Sequence, residues 1–384
     1  MKKIKILFAV GRLTIGGGEK LLVHQLKYLD REKFDPHLLT LFPEKKESFE
    51  PLLRSDLQRG VRPLDMVWKQ FNFHGIFDAV SWFHLVRYLR REKFDVIVTS
   101  LFSANLNVRL ASLLAGRPKV MIAYEHNIYS NKHRWQIWVD WFLAKFTDRV
   151  IVDAESVKKF TAKQEGIPED KFLVMHIPPL ADVKVGPPAG GPTLDELRNE
   201  FWIKPDDMVI LTVSRLVKEK GHTYLIQAAK VVCSQFPNAK FLIVGWGPLK
   251  EKLEEEVRAL GLEGKVIVAG KRDIADVLPL ADMYVEPAVS VDIGIASMEA
   301  MRAGLPIVST DVGEMPVFVK DRENGFLVPP GDSGALAEKI LVILKSDALR
   351  KKMGEKSRER VKDFTVDGYM RKFEGLIEAI LDAN

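Results

Sequence analysis

The sequence predicts two α/β domains, each a parallel sheet covered by helices on both faces, facing one another across an interdomain cleft. Three observations predict it. Short apolar runs of strand length alternate with helical patterns along nearly the whole chain. The alternation breaks once, in Ile177-Pro-Pro-Leu180 and Val185-Gly-Pro-Pro-Ala-Gly-Gly-Pro192, the densest Pro/Gly stretch present. The 384 residues, 47% hydrophobic and 28% charged, suffice for about two domains with separate cores.

The first domain opens with Lys5–Val10, an apolar run ended by Gly11. The glycine loop Gly16-Gly-Gly18-Glu19 follows, then a helical pattern through Leu22, Leu26 and Leu29. Further strands are expected at His37–Phe42, Val96–Ser100, Val120–Tyr124 and Arg149–Val152, with helices at Phe77–Arg91 and Trp135–Phe146. This places a Rossmann-like domain at 1–180, a linker at 181–200 and a second Rossmann-like domain at 201–367. In the second, strands are expected at Met208–Val213, Ala239–Val244, Val266–Ala269, Met283–Glu286 and Leu305–Thr310. Helices such as Tyr224–Ser234 and Leu249–Leu260 lie between them. A last helix in 368–384 carries Tyr369, Phe373, Leu376, Ile377, Ile380 and Leu381 on one stripe. Ligands of such sheets sit outside the carboxyl ends of the strands, so the cleft is the expected site.

Composition excludes several classes. No apolar run reaches the roughly 20 residues of a transmembrane helix. The run at Met1–Val10 is too short for a signal peptide and has no small-residue cleavage site. Cys233 is the only cysteine, so disulfide scaffolds and cysteine-ligated zinc are excluded, and a cytoplasmic protein is expected. Charge is uneven. Residues 1–186 hold 30 Lys+Arg against 21 Asp+Glu, and residues 187–384 hold 27 against 31. Trp68, Trp82, Trp135, Trp138 and Trp141 all fall in the basic half. Such a half suits an anionic membrane surface, a phosphorylated acceptor or nucleic acid; a solvated basic face over core aromatics is the plainer alternative.

Three motifs carry candidate chemistry. Glycines in Gly16-Gly-Gly18 let backbone approach a ligand at a helix start, although the P-loop Lys-Ser/Thr and the full G-x-G-x-x-G pattern are both absent, and a tight turn explains the loop as well. Gly245-Trp-Gly247-Pro248 has two of the three glycines of that pattern. Ser214-Arg-Leu216 and Lys218-Glu-Lys-Gly-His222 follow the strand Met208–Val213, where Arg gives a planar fork and Lys a movable charge for a diphosphate. In Ser290-Val-Asp-Ile-Gly294 a turn leads into a helix bearing Glu299, stopped by Gly304-Leu-Pro306. Free N–H groups at that helix start suit a phosphate, and a carboxylate one turn on suits a vicinal diol such as ribose.

Together the chain resembles the retaining glycosyltransferases of family four, of the GT-B fold, over nearly its whole length. The resemblance rests on Gly16-Gly-Gly-Glu19, Glu125-His126-Asn127, Ser214-Arg-Leu with Lys220-Gly-His222, Val244-Gly-Trp-Gly-Pro248 and Ala281-Asp-Met-Tyr-Val-Glu-Pro287. It rests also on Ser297-Met-Glu-Ala-Met-Arg-Ala-Gly-Leu-Pro306 and Asn324-Gly-Phe-Leu-Val-Pro-Pro330. It implies that Arg215 and Lys220 hold a donor diphosphate, that Glu299 binds ribose, and that amides at Gly294, Ile295 and Ala296 meet phosphate. It further implies that Gly17, Gly18 and Gly245 approach the donor and that His126 contacts the transferred sugar. The last helix would cross back onto the first domain.

Three stretches depart from the family pattern. Val291 stands where the family has a glutamate, with Asp292 one position later as a substitute carboxylate. Val317 replaces the glutamate of Gly-Gly-x-Pro-Glu, and Pro178-Pro-Leu180 replaces Pro-Asn-Gly. Weakened activity or an altered donor follows from these departures. The expected reaction moves a sugar from a UDP- or GDP-linked donor to a hydroxyl of a polysaccharide, glycolipid or lipid-linked precursor. No cofactor is expected, and no metal is required, since no Asp-x-Asp occurs. Peripheral contact with the inner membrane face is expected, and no nucleic acid. The rival readings are a non-catalytic nucleotide-sugar binder, a nucleotide-sugar 2-epimerase and, more remotely, a dehydrogenase.

Overall fold

The computed structural model describes residues 3–13, 17–43, 66–74, 78–126, 132–178, 192–290 and 294–383; for 17–20 it describes backbone only. Gly16, Asn127, Val291, Asp292 and residues 181–191 of the expected linker lie outside the described residues. The chain divides into two units, Met1–Ile177 with Val366–Asn384, and Pro178–Thr365.

In the first unit, β1 (Ile4–Val10), β2 (Phe34–Thr40), β3 (Val67–Gln70), β4 (Val96–Ser100), β5 (Val120–Glu125), β6 (Arg149–Val152) and β7 (Phe172–Val174) form a sheet in the order β3-β2-β1-β4-β5-β6-β7. Every described pairing is parallel. Ile6–Val10 is wholly buried because helices cover both faces, which is why this strand reads as a continuous apolar run rather than an alternating one. The helices are α1 (Gly17–Tyr28), α2 (Ala79–Glu92), α3 (Leu101–Ala115), α4 (Arg134–Ala144) and α5 (Glu155–Glu165). Asp78 caps α2 by accepting from the Ser81 N–H, and Lys93 ends it in a left-handed conformation.

β2 starts three residues earlier than its apolar pattern predicts and stops at Thr40. Leu41 and Phe42 leave the ladder because their N–H groups turn back to the Gly11 carbonyl. β3 and β7 escape sequence reading: β3 is a largely exposed edge strand and β7 has only three residues.

The second unit holds β8 (Met208–Val213), β9 (Ala239–Val244), β10 (Val266–Gly270), β11 (Met283–Glu286), β12 (Ile307–Thr310) and β13 (Gly325–Val328), in the order β10-β9-β8-β11-β12-β13 and again parallel. Its helices are α6 (Leu194–Glu200), α7 (His222–Gln235), α8 (Lys250–Ala259), α9 (Ile274–Val277), α10 (Ile295–Ala303), α11 (Met315–Phe318), α12 (Ser333–Leu344) and α13 (Asp347–Arg360). Two apolar clusters flank the sheet, one with Ile226, Phe241 and Ile340, the other with Leu211, Met298 and Phe318. Residues 194–200, placed in the linker by sequence, are α6 of this unit. Thr193 accepts from Glu196 N–H at 3.2 Å, its own N–H donates to Glu196 Oε2 at 2.7 Å, and Leu197 is buried in the second cluster.

The helix α14 (Val366–Ala383) belongs to the first unit. It buries Tyr369, Phe373 and Ile377. Phe373 lies 6.2 Å from the Phe8 ring, and the Tyr369 and Tyr124 hydroxyls are 2.6 Å apart, with Gln25 Nε2 donating to Tyr124 at 2.8 Å.

Candidate active site

In the second unit the adjacent parallel strands β9, β8, β11 and β12 deliver their following loops to one edge of the sheet. Arg215 and Lys220 stand in the loop after β8. That loop is fastened backbone to backbone: Ser214 N–H donates to Val244 O at 3.0 Å, Leu216 N–H to Trp246 O at 2.8 Å, and Val289 N–H to Glu219 O at 2.9 Å. Two glycines make the approach possible. A Cβ on Gly245 would lie 1.8 Å from Ser214 O, and one on Gly221, at φ +65°, would lie 2.0 Å from Pro287 O. Arg215 is exposed and Lys220 half-buried, so both cationic side chains spring from a rigid loop.

His222 fixes the base of this loop. Its Nε2 lies 3.1 Å from Ser214 Oγ and 3.2 Å from Arg215 O. Burial pushes its pKa down to about 4, with the Lys220 charge adding to the effect against the Arg215 carbonyl contact. It is therefore a neutral hinge pin at neutral pH. In the sequence His222 is only the last member of the Lys220-Gly-His222 motif, and nothing local signals this part.

Beside that loop, α10 begins at Gly294, at φ +72°, wedged against Phe318 and Met315. Its first turn leaves N–H groups at Ile295 and Ala296 without an intrahelical acceptor, since the ladder starts at Met298 N–H to Gly294 O. Glu299 is buried one turn on. At the end of β12, Thr310 Oγ1 donates to Ala288 O at 2.5 Å and ties the loop after β11. Val317 packs on the apolar cluster around Met315 and Phe318, while Glu314 in the same turn is buried.

In the first unit, Gly17 and Gly18 open α1 after β1, and His126 follows β5. His126 Nδ1 lies 2.6 Å from Asp153 Oδ2, and its ring stacks on Tyr124 at 5.4 Å. Asp153, fully buried just after β6, orients that imidazole and was not singled out from sequence. Below lies a buried ionic cluster, also missed. Lys132 Nζ reaches Asp140 Oδ2 at 2.8 Å and Glu165 Oε1 at 2.5 Å, Arg109 Nη1 lies 3.8 Å from Asp140, and Glu125 accepts from Asn105 Nδ2 at 2.9 Å. Three carboxylates share two cations. Burial and the surplus acid hold Glu125 above its ordinary range and bring Glu165 up to about 7. Among the described residues no group of three or more His, Cys, Asp or Glu side chains is placed to hold a metal ion.

Two parallel α/β units with anion-ready loops at the strand ends are the architecture of the GT-B glycosyltransferases, enzymes that move sugar from a nucleotide sugar, and the sequence matches that class. Residues 15–178 match the Glycosyltransferase Family 4 model and residues 194–360 the Glycosyl transferases group 1 model. The chain belongs to glycosyltransferase family four. It is 26% identical, over 96% of its length and 98% of the relative's, to the Escherichia coli UDP-Gal:alpha-D-GlcNAc-diphosphoundecaprenol alpha-1,3-galactosyltransferase. It is 29% identical, over 49% of its length and 50% of the relative's, to the N-acetyl-alpha-D-glucosaminyl L-malate synthase of Bacillus anthracis. Among solved structures it is similar to Anabaena HepE in complex with UDP, with a TM-score of 0.81 and 21% identity over 98% of this chain and 100% of that one. A glycosyltransferase from Rickettsia africae superposes with a TM-score of 0.83 and 20% identity over 100% of both chains.

Proposed function

We propose that the protein is a retaining, metal-independent glycosyltransferase that uses a UDP- or GDP-sugar and glycosylates a hydroxyl of a polysaccharide, glycolipid or lipid-linked precursor. The carrying observation is the rigid loop that presents Arg215 and Lys220 at the edge where α10 also begins. The diphosphate lies against these cations and the amides of Gly294, Ile295 and Ala296, Gly245 allows its close approach, and Glu299 takes the ribose hydroxyls. As the sugar–oxygen bond breaks, charge builds on the departing diphosphate, and pre-placed cations and amides stabilise it without reorganisation. The leaving phosphate takes the acceptor proton. His126, oriented by Asp153, contacts the transferred sugar; Gly17 and Gly18 border the donor, and Asp292 supplies the carboxylate that Val291 lacks. The acceptor class is supported by the E. coli relative, whose name specifies a diphosphoundecaprenol-linked acceptor. HepE has been crystallised with UDP-glucose, which favours the uridine donor.

A panel of UDP- and GDP-sugars tested for transfer is expected to show turnover with one base. Nucleotide binding without transfer to any acceptor would instead favour a non-catalytic binder, the reading suggested by the apolar packing of Val317.

We propose further that the protein works in the cytoplasm in reversible contact with the inner membrane face. Among the described residues no helix is long and apolar enough to cross a membrane. Trp82 packs against the core, but Trp135, Trp138 and Trp141 on α4 are 47%, 60% and 38% exposed, with Lys145 Nζ 3.6 Å from the Trp141 ring centre. Aromatic rings flanked by cations favour a charged lipid interface, and each basic side chain adds about 1 kcal/mol there. Co-sedimentation with anionic vesicles at low salt, fading at high salt and weakened in Trp138→Ala, is the expected result. Wild-type protein left in the supernatant at low salt would refute membrane contact.

A further inference from the structure

The first unit holds a basic cavity away from the residues assigned to the donor site. An open cavity of about 380 Å³ sits between the edge strand β3 and the outer face of α2. Lys69, His84, Arg87 and Arg91 line it, with no carboxylate among the described lining residues. Two acids of this region, Asp78 and Glu92, are already engaged. Asp78 caps α2 through Ser81 N–H and Ser81 Oγ, and Glu92 is paired with Lys5 Nζ at 2.7 Å and with Arg91 Nη2 at 2.6 Å.

Tyr88 supplies an independent observation. It lines the same cavity and is only 8% exposed, its ring packed edge-on to Phe71 at 5.9 Å. Its hydroxyl is buried and meets no hydrogen-bonding partner among the described residues. That hydroxyl is closed to solvent, so the ring rather than the oxygen borders the open cavity. Burial, with Glu92 nearby, pushes this phenol up to about 12, so it adds no negative charge beside the cations.

We infer that this cavity binds a phosphate-bearing ligand, with Arg87 and Lys69 supplying the charge and the hydrogen bonds to its phosphate oxygens. The chemistry is shared by a phospholipid headgroup and by a soluble phosphate ester or diphosphate. The inference uses none of the donor-site residues and goes beyond the proposed function by giving the first unit an anion pocket of its own.

Calorimetric titrations with inorganic pyrophosphate and with a short-chain, water-soluble phosphatidic acid test it, and their order separates the two sources. Tighter binding of the phosphatidic acid assigns a headgroup, and tighter binding of pyrophosphate assigns a soluble ligand. Arg87→Ala is expected to lower the affinity about tenfold or more. Tyr88→Phe, which removes only the sealed hydroxyl, should leave the affinity unchanged. Arg215→Ala, in the other unit, should leave the Arg87-dependent binding intact, so a failure of the donor reading shows separately, as unaltered nucleotide affinity in that variant. Absence of binding by both probes, or equal affinities in wild type, Arg87→Ala and Lys69→Ala, would overturn the inference.

Discussion

Arg215→Ala is expected to slow sugar transfer about 10²- to 10³-fold and to weaken nucleoside diphosphate binding, with the fold intact. Both halves of that expectation come from the geometry. Arg215 is exposed, so truncation opens no cavity, and changes at such sites usually alter stability by within about 0.5 kcal/mol. The loop keeps its shape without the side chain, because Ser214, Leu216 and Glu219 are held through backbone groups and His222 pins Arg215 by its carbonyl. What disappears, on the proposed function, is the guanidinium that would meet the charge growing on the departing diphosphate. Lys220→Ala should act in the same direction more weakly, since a point charge lacks the two-pronged geometry of a guanidinium. Steady-state rates and calorimetric affinities for UDP and GDP check both variants. Unchanged values in the two would remove the diphosphate clamp from the protein.

The second large effect concerns stability. Lys132→Ala leaves Glu125, Asp140 and Glu165 buried with Arg109 as their remaining cation, and removing one partner of a buried ionic group costs about 3–5 kcal/mol. The loss should shrink in acid, where surplus charge is neutralised by protonation. Glu165 makes the sign testable. Its folded-state pKa of about 7 lies above the ordinary 4.5, so the folded chain holds this proton more tightly than the unfolded chain. The stabilisation is therefore complete below about 4.5 and lost as pH rises through about 7. Glu165→Gln cannot lose a proton, so its stability relative to wild type should climb across that window and level off above it. Urea unfolding of both proteins at several pH values measures the difference, and a flat difference would refute the assignment.

How much of this was legible in the sequence depended on whether the cause was local. β1, β5, β8, β9 and β11 announce themselves because a strand buried on both faces must be apolar throughout. The start of α10 is legible because Gly294 stands where the backbone needs positive φ, whereas α7, expected from Tyr224, begins two residues earlier at His222. β3 is not, because an exposed edge strand has no reason to be apolar. Leu194–Glu200 was lost to the neighbouring prolines, although Thr193 and Glu196 spell a capping box. The ionic cluster was out of reach: Arg109, Glu125, Lys132, Asp140 and Glu165 come from separate segments, and only the fold makes them neighbours. Asp153 beneath His126 is hidden for the same reason. The exposure of Trp135 and Trp138 was equally invisible, since a helix pattern does not say which aromatics face solvent.

The packing of α14 constrains the order in which the protein can be made. Phe8, Tyr124 and Gln25, near the start and middle of the first unit, find Phe373 and Tyr369 only after the whole of Pro178–Thr365 has left the ribosome. At about 5–20 residues per second, that interval is on the order of ten seconds or more. Throughout it the nascent first unit displays an apolar face beside Phe8 and a buried-type tyrosine without its mate. The second unit, continuous in sequence, can finish first. A fragment ending at Ile177 would carry the same uncovered face permanently, so an excised first unit needs residues 366–384 grafted on behind it to be a faithful copy of the native one.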